Sequence, residues 1–257
     1  MSYQVQINSF SALDEWFVTP LGRNVAKAFA TELSHLGLLL HGDILLQLGS
    51  GGENLWLENL LFQHKWLATP QWNSQVTTVA CKLNQLPLDR NSVDCVVAPL
   101  TMEAFPAFQK PLDEIDRVLK PMGHIVFLGI NPISLWGVWL RYARTHCYGF
   151  AHGYPKSVFS LKRALLHRGY IQCHLNSFFY IPPFKNERLL ARLEILNEIG
   201  KMVSLMPAGF YCLVVQKFVE QHPDFLLQSK QDMLPEPASA LFKPICREKH
   251  HDRQSDR

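Results

Sequence analysis

One short run constrains this chain more than any other: Ile44-Leu45-Leu46-Gln47-Leu48-Gly49 passes straight into Ser50-Gly51-Gly52-Glu53. A brief apolar run that stops at glycines reads as a strand covered on both faces. The glycines behind it allow a tight turn and a close approach of the backbone to a ligand. Strands buried on both sides belong to parallel sheets, and parallel neighbours need crossover connections of about a dozen residues or more.

The rest of the first half supplies such connections. Thr19-Pro20 places a capping hydroxyl before a proline at the first helical position, and Leu21, Val25, Phe29 and Leu33 then recur at helical spacing until Gly37. Trp16 and Phe17 stand where they would pack over this helix start. Residues 54–61 are expected to be helical, 64–68 a second strand ended by Pro70, 76–80 a third, and 93–98 a buried fourth. Residues 112–119 alternate as an amphipathic helix, Pro121-Met122-Gly123 is expected to break the chain, and 124–130 form the next strand. Further on, a helix over 157–167, a strand over 171–179, a helix over 189–203 and a strand over 210–218 would complete a sheet. Alternation of this kind predicts an α/β fold, a mostly parallel Rossmann-like sheet with helices on both faces. Its ligands bind at the carboxyl ends of the strands, near the switch point. The expected organisation is one domain over 1–220, with 1–40 an N-terminal helical segment, and a polar, disordered tail over 221–257.

Composition excludes more than it identifies. A net charge of +3 with no clustered basic face argues against nucleic acid as a partner. The six cysteines form no CxxC and no zinc spacing, and the histidines show no HExxH, so no metal is expected and the thiols read as free in a reducing compartment. The opening residues lack a signal-peptide pattern, and no apolar stretch reaches the roughly 18 residues of a spanning helix. A soluble, cytoplasmic chain is therefore expected.

Several segments taken in order resemble the type 11 branch of S-adenosylmethionine-dependent methyltransferases. They are Leu86-Pro87-Leu88, Asn91-Ser92-Val93-Asp94, and Arg117-Val118-Leu119-Lys120-Pro121-Met122-Gly123. The opening from Trp16 to Arg23, Asn131-Pro132-Ile133-Ser134-Leu135-Trp136-Gly137 and Pro182-Pro183 resemble one small bacterial subgroup of that branch. The likeness spans roughly residues 10 to 220. It implies a seven-stranded sheet whose last strand is antiparallel, and S-adenosylmethionine as cofactor. It implies cofactor contacts at Gln47, Gly49, Ser50, Gly51 and Glu53, at Thr69 after the second strand, at Lys82, Leu83 and Asn84 after the third, and at Pro99 after the fourth.

Three of these positions depart from the family pattern. Gln47 stands for the acid that leads the glycine turn, Thr69 lies where an acid would take the ribose hydroxyls, and Lys82 lies where an acid would read the adenine. Each lost hydrogen bond to a charged group costs about 1.5–3 kcal/mol, so affinity would fall on the order of a thousand-fold unless Glu53 and Asn84 compensate. The acceptor, expected to be a small molecule, would lie after the fourth and fifth strands. Candidate residues there are Met102, Glu103, Asn131, Trp136 and Tyr142. Trp136, Trp139 and Leu140 are expected near one helical face, as a helix packed on the domain or as a lid, an apolar substrate surface or a peripheral membrane contact. Two readings stand side by side: a methyltransferase, and a protein of that fold that lost the cofactor and binds or regulates. A nicotinamide oxidoreductase is disfavoured, because the glycine turn lacks the third glycine of GxGxxG.

Overall fold

The computed structural model describes residues 3–49, 52–73, 77–142, 154–183 and 207–218. The chain divides into Met1–Val219 and Glu220–Arg257, and the second unit, like the helix expected over 189–203, lies outside the described residues. The described elements are α1 (Tyr3–Val18), α2 (Pro20–Ser34), β1 (His41–Leu48), β2 (Leu61–Thr69), β3 (Val79–Ala80), β4 (Val93–Pro99), α3 (Gln109–Val118), β5 (Leu119–Ile130), α4 (Leu135–Tyr142), α5 (Val158–Leu166), β6 (Tyr170–Phe178) and β7 (Phe210–Lys217). Short 3-10 turns lie at Leu55–Leu57 and Met102–Ala104.

Seven strands form one sheet in the order β3-β2-β1-β4-β5-β7-β6. β1, β2, β3, β4 and β5 are mutually parallel, and β7 runs antiparallel to both of its neighbours. The chain works outward from β1 to β3 and then returns to β4, so the switch point lies between β1 and β4. β4, apart from Asp94, and the last seven residues of β5 are almost wholly buried, which matches their largely apolar runs.

Opposite faces of β7 show how the helices are shared out. Phe210 meets Phe29 of α2 at 5.4 Å between ring centroids, and Asn176, paired with Cys212, donates to both oxygens of Glu32 in α2. Lys217 and its partner Tyr170 turn the other way, toward Asp116 of α3. An aromatic chain runs through the α2 face, with Phe17–Trp56 at 5.4 Å, Phe29–Trp56 at 5.7 Å and Trp136–Phe210 at 4.8 Å. Edge-to-face and tilted rings of this kind add stability beyond their buried area.

Thr19 caps α2 as expected, its hydroxyl accepting from the Gly22 amide at 3.2 Å with Pro20 behind it. Gly22 itself is required by close approach, since a Cβ there would collide with the Trp16 carbonyl of α1. Two expectations change. The helix over 54–61 is only the 3-10 turn Leu55–Leu57: Asn54 sits in the left-handed region at φ 50°, and β2 already begins at Leu61. Pro121-Met122-Gly123 does not end an element, because β5 runs from Leu119 through an irregularity at which its register on β4 shifts between Val93 and Cys95. And α1 fills the stretch before Trp16, burying Gln6, Phe10, Leu13 and Phe17.

Asp94 holds three strands together. Its carboxylate accepts from the Asp43 and Ile44 amides of β1 at 3.1 and 2.9 Å and from Lys120 Nζ of β5 at 2.7 Å. Partial burial works to raise its pKa, but Lys120 and the two amides outweigh it and hold the carboxyl below the usual range. Its contribution is therefore complete above the unfolded carboxylate pKa and is lost as pH falls through the lower folded value. Asp94→Ala is expected to cost about 2–4 kcal/mol in urea unfolding at neutral pH, with the difference from wild type shrinking below about pH 4. A pH-independent difference would show that charge plays no part.

Candidate functional site

The carboxyl ends of β1 to β4 converge beside the switch point. Gly49 follows β1 at φ 90°, and a Cβ there would lie 2.8 Å from the ring of Phe10, so both backbone and packing require glycine. Gln47 is wholly buried and its carboxamide is fully engaged. It accepts from the indole N–H of Trp56 at 2.8 Å and donates to Gly49 O at 2.9 Å and to Asn54 Oδ1 at 2.6 Å. The group faces one donor and two acceptors. A carboxylate would satisfy the indole and repel the other two, so the surroundings demand an amide.

At the end of β2, Thr69 Oγ1 donates to the Gln71 carbonyl at 2.6 Å and lies 3.0 Å from Thr77 Oγ1. This corner lines a cleft of about 460 Å³ between Phe10, Ser11 and Asp14 of α1 on one side and Thr69, Gln71 and Trp72 on the other. Past β3, the buried Leu83 N–H and Asn84 Oδ1 form a donor–acceptor pair, engaged by Gln6 at 3.2 and 2.9 Å. Past β4, Thr101, unmarked in the sequence, donates to Leu48 O at 2.6 Å and ties the tips of β1 and β4 together.

Gln47, Gly49, Thr69, Leu83, Asn84 and Pro99 thus gather along one edge. Lys82 and Glu53 turn outward, Lys82 over the Tyr3 ring at 5.8 Å and Glu53 to Arg23 at 3.6 Å. Ser50 and Gly51 lie outside the described residues. The sequence also left out Gln6, Phe10, Ser11 and Asp14, whose helix carries the spacing Phe10, Leu13, Phe17 as its signal.

Beyond β4 and β5, Met102 and Trp136 are buried, Trp136 donating to Ile181 O at 2.8 Å. Asn131 is partly buried and accepts from the Ile133 amide, and Tyr142 is exposed. α4 turns its two tryptophans apart, Trp136 into the core and Trp139 half out to solvent, which corrects the expected shared face and removes Trp136 from any peripheral membrane contact. Among the described residues no helix is long and apolar enough to cross a membrane, and no cluster of His, Cys, Asp and Glu is arranged to hold a metal.

Glu103 stands out here. It is 1% exposed; Oε1 accepts from the Ile130 amide at 2.9 Å, while Oε2 is buried with no hydrogen-bond partner among the described residues. Burial pushes its pKa up to about 7, against the Ile130 amide and the Lys156 charge. A buried carboxyl with a raised pKa and one oxygen unpartnered among the described residues is a candidate proton carrier.

A methyltransferase domain family matches residues 56–127. No curated protein matches the sequence. Among solved structures, the fold is similar to an S-adenosylmethionine-dependent methyltransferase, a possible histamine N-methyltransferase, from Thermotoga maritima, at 14% identity and TM-score 0.56 over 84% of this chain and all of that one. It is also similar to a chain from the complex of the Haloferax volcanii Trm112 methyltransferase activator with a methyltransferase, at 14% identity and TM-score 0.60, covering 86% and 100%. A third is the geranyl diphosphate C-methyltransferase of Streptomyces coelicolor bound to Mg2+, geranyl-S-thiolodiphosphate and S-adenosyl-L-homocysteine, at 14% identity and TM-score 0.54 over 74% and 76%. These likenesses establish the methyltransferase form of the Rossmann-like fold.

The residues suit the nucleoside half of S-adenosylmethionine. Leu83 N–H beside Asn84 Oδ1 matches an edge that offers an acceptor and an amino donor, and Thr69 and Gln71 put polar groups on the cleft. The outward turn of Lys82 removes the conflict expected at the adenine.

An acid at this position is expected to harm rather than help: Gln47→Glu should lower stability by about 2–4 kcal/mol at pH 7, read by urea unfolding. An unchanged midpoint would mean the amide is not what the site demands. Glu103 keeps its proton to a higher pH folded than unfolded, so its contribution is complete below about 4.5 and is lost as pH rises through about 7. Between about pH 5 and 8 the wild type should lose on the order of 3 kcal/mol relative to Glu103→Gln. Parallel stability profiles for the two proteins would refute the raised pKa.

Proposed function

We propose that this chain is an S-adenosylmethionine-dependent methyltransferase acting on a small-molecule acceptor. The observation that carries this reading is a cleft of about 460 Å³ at the end of β2, lined by Thr69, Gln71 and Thr77, together with the Leu83–Asn84 donor–acceptor pair past β3, in a sheet of methyltransferase order. The match of residues 56–127 to a methyltransferase domain supports it. When bound, the cofactor supplies an already activated methyl group on a sulfonium, so the protein's tasks are to orient the acceptor and exclude water.

Leu83 and Asn84 hold the base in this reading, and Thr69 and Gln71 face the ribose. On the acceptor side the buried Met102, Phe105 and Trp136 keep water away. Glu103 Oε2 takes the proton that a neutral N–H or O–H acceptor sheds. Small-molecule acceptors are the chemistry of the neighbours named for histamine and geranyl diphosphate. Four described cysteines are free thiols, which supports a reducing, cytoplasmic setting.

One observation favours the second reading, a protein that kept the fold without the reaction. The Gly52 amide, on the glycine turn, already donates to Asp14 Oδ1 at 2.6 Å, and no carboxylate stands at the end of β2. Calorimetric titration with S-adenosylhomocysteine separates the two, with a dissociation constant below about 1 mM expected for the enzyme. Absence of heat, together with no thermal shift at about 5 mM ligand, would exclude the methyltransferase.

A further inference from the structure

We infer that the N-terminal part of α1 is an intramolecular latch seated on the cofactor's own contacts, so that binding requires residues 3–14 to lift. This rests on the methyltransferase reading above. Gln6 is the central observation. It is wholly buried on the helix face that also carries Phe10, Leu13 and Phe17. An amide in that company is costly unless both ends are paired. Its Oε1 accepts from Leu83 N–H and its Nε2 donates to Asn84 Oδ1. An acceptor beside an amino donor is also what adenine presents along N1 and its 6-amino group. Gln6 therefore stands in for the base, on the pair of groups that would read it.

The same helix covers the neighbouring positions. Phe10 packs its ring on Gly49, Ser11 donates to the Gln71 side chain next to Thr69, and Asp14 sets a carboxylate on the Gly52 amide. Tyr3 donates to the Pro70 carbonyl at 2.6 Å. The Gln6 and Asp14 contacts are ones a nucleoside carrying a carboxylate would replace in kind.

Lifting residues 3–14 takes Phe10 and Leu13 out of the core while the C-terminal end of α1 stays anchored. Phe17 is locked into the aromatic chain, and Thr19, extended at φ −66° and ψ 156°, separates α1 from α2. α1 has no acidic residue in its first turn and no basic residue in its last, so neither end of its dipole is complemented by charge.

A lid lying over a bound ligand and a latch lying in its place behave oppositely. Hydrogen–deuterium exchange of the full chain with saturating S-adenosylhomocysteine tells them apart. The latch predicts at least tenfold faster exchange in residues 3–14 together with slower exchange at 47–49 and 83–84. Gln6→Leu, which keeps the apolar packing and drops the mimicry, should bind S-adenosylhomocysteine about tenfold tighter than wild type, and Asp14→Ala should shift affinity in the same direction. Slower exchange in residues 3–14 on ligand addition, or affinity unchanged or weakened in both variants, overturns the latch while leaving the methyltransferase reading intact. No binding and no exchange change in any of the three proteins overturns both. Should Gln6→Leu fail to fold, the wild-type exchange pattern and Asp14→Ala still decide.

Discussion

The tip of β1 is organised around a single buried amide. Gln47 sits between the Trp56 indole and the oxygens of Gly49 and Asn54, and through them it fixes the glycine turn to the aromatic core. Trp56 in turn packs on Phe17 and Phe29, so the geometry of the turn is set by two helices that precede the sheet in the chain. A glycine turn usually draws its position from the helix that follows it. Here that helix is reduced to Leu55–Leu57, and a network of hydrogen bonds and rings does its work instead.

That substitution explains why the edge of the sheet is crowded. Parallel strands end in backbone groups that must find partners or water. Leu48 O is taken by Thr101, Gly49 N donates to Ala68 O, the Gly52 amide goes to Asp14 and the Leu83 amide to Gln6. Two of the four partners belong to α1. The strand tips therefore offer a coherent set of donors and acceptors whose present occupants come from the chain itself, and the proposed cofactor contacts and the proposed latch both rest on that set.

Much of the sheet was legible because buried parallel strands announce themselves: 93–98 and 210–218 differ from β4 and β7 by one residue at one end. The cap at Thr19-Pro20 was legible because its chemistry is local. The failures were tertiary. Residues 54–61 have helical spacing, yet a left-handed Asn54 and an early β2 leave no room for a helix. Pro121-Met122-Gly123 looks like a stop, yet an irregular strand absorbs it, with Met122 at φ 64°. At the candidate site, Gly49 and the 82–84 segment lie just beyond β1 and β3, but which of 82, 83 and 84 faces inward depends on backbone direction after a two-residue strand. The role of Gln6 was invisible for a simpler reason: its partners lie 77 and 78 positions away.

The position of α2 has a further consequence, for how the molecule is made. Phe29 completes its packing only against Phe210 and Phe178, and Glu32 finds its partners in His174 and Asn176. A ribosome releasing this chain from its N-terminus delivers the helix long before the strands it rests on. Until β6 and β7 emerge, the helix has an oily flank and a lone carboxylate with nothing to meet them, and the nascent protein must wait for its own end before its beginning can settle.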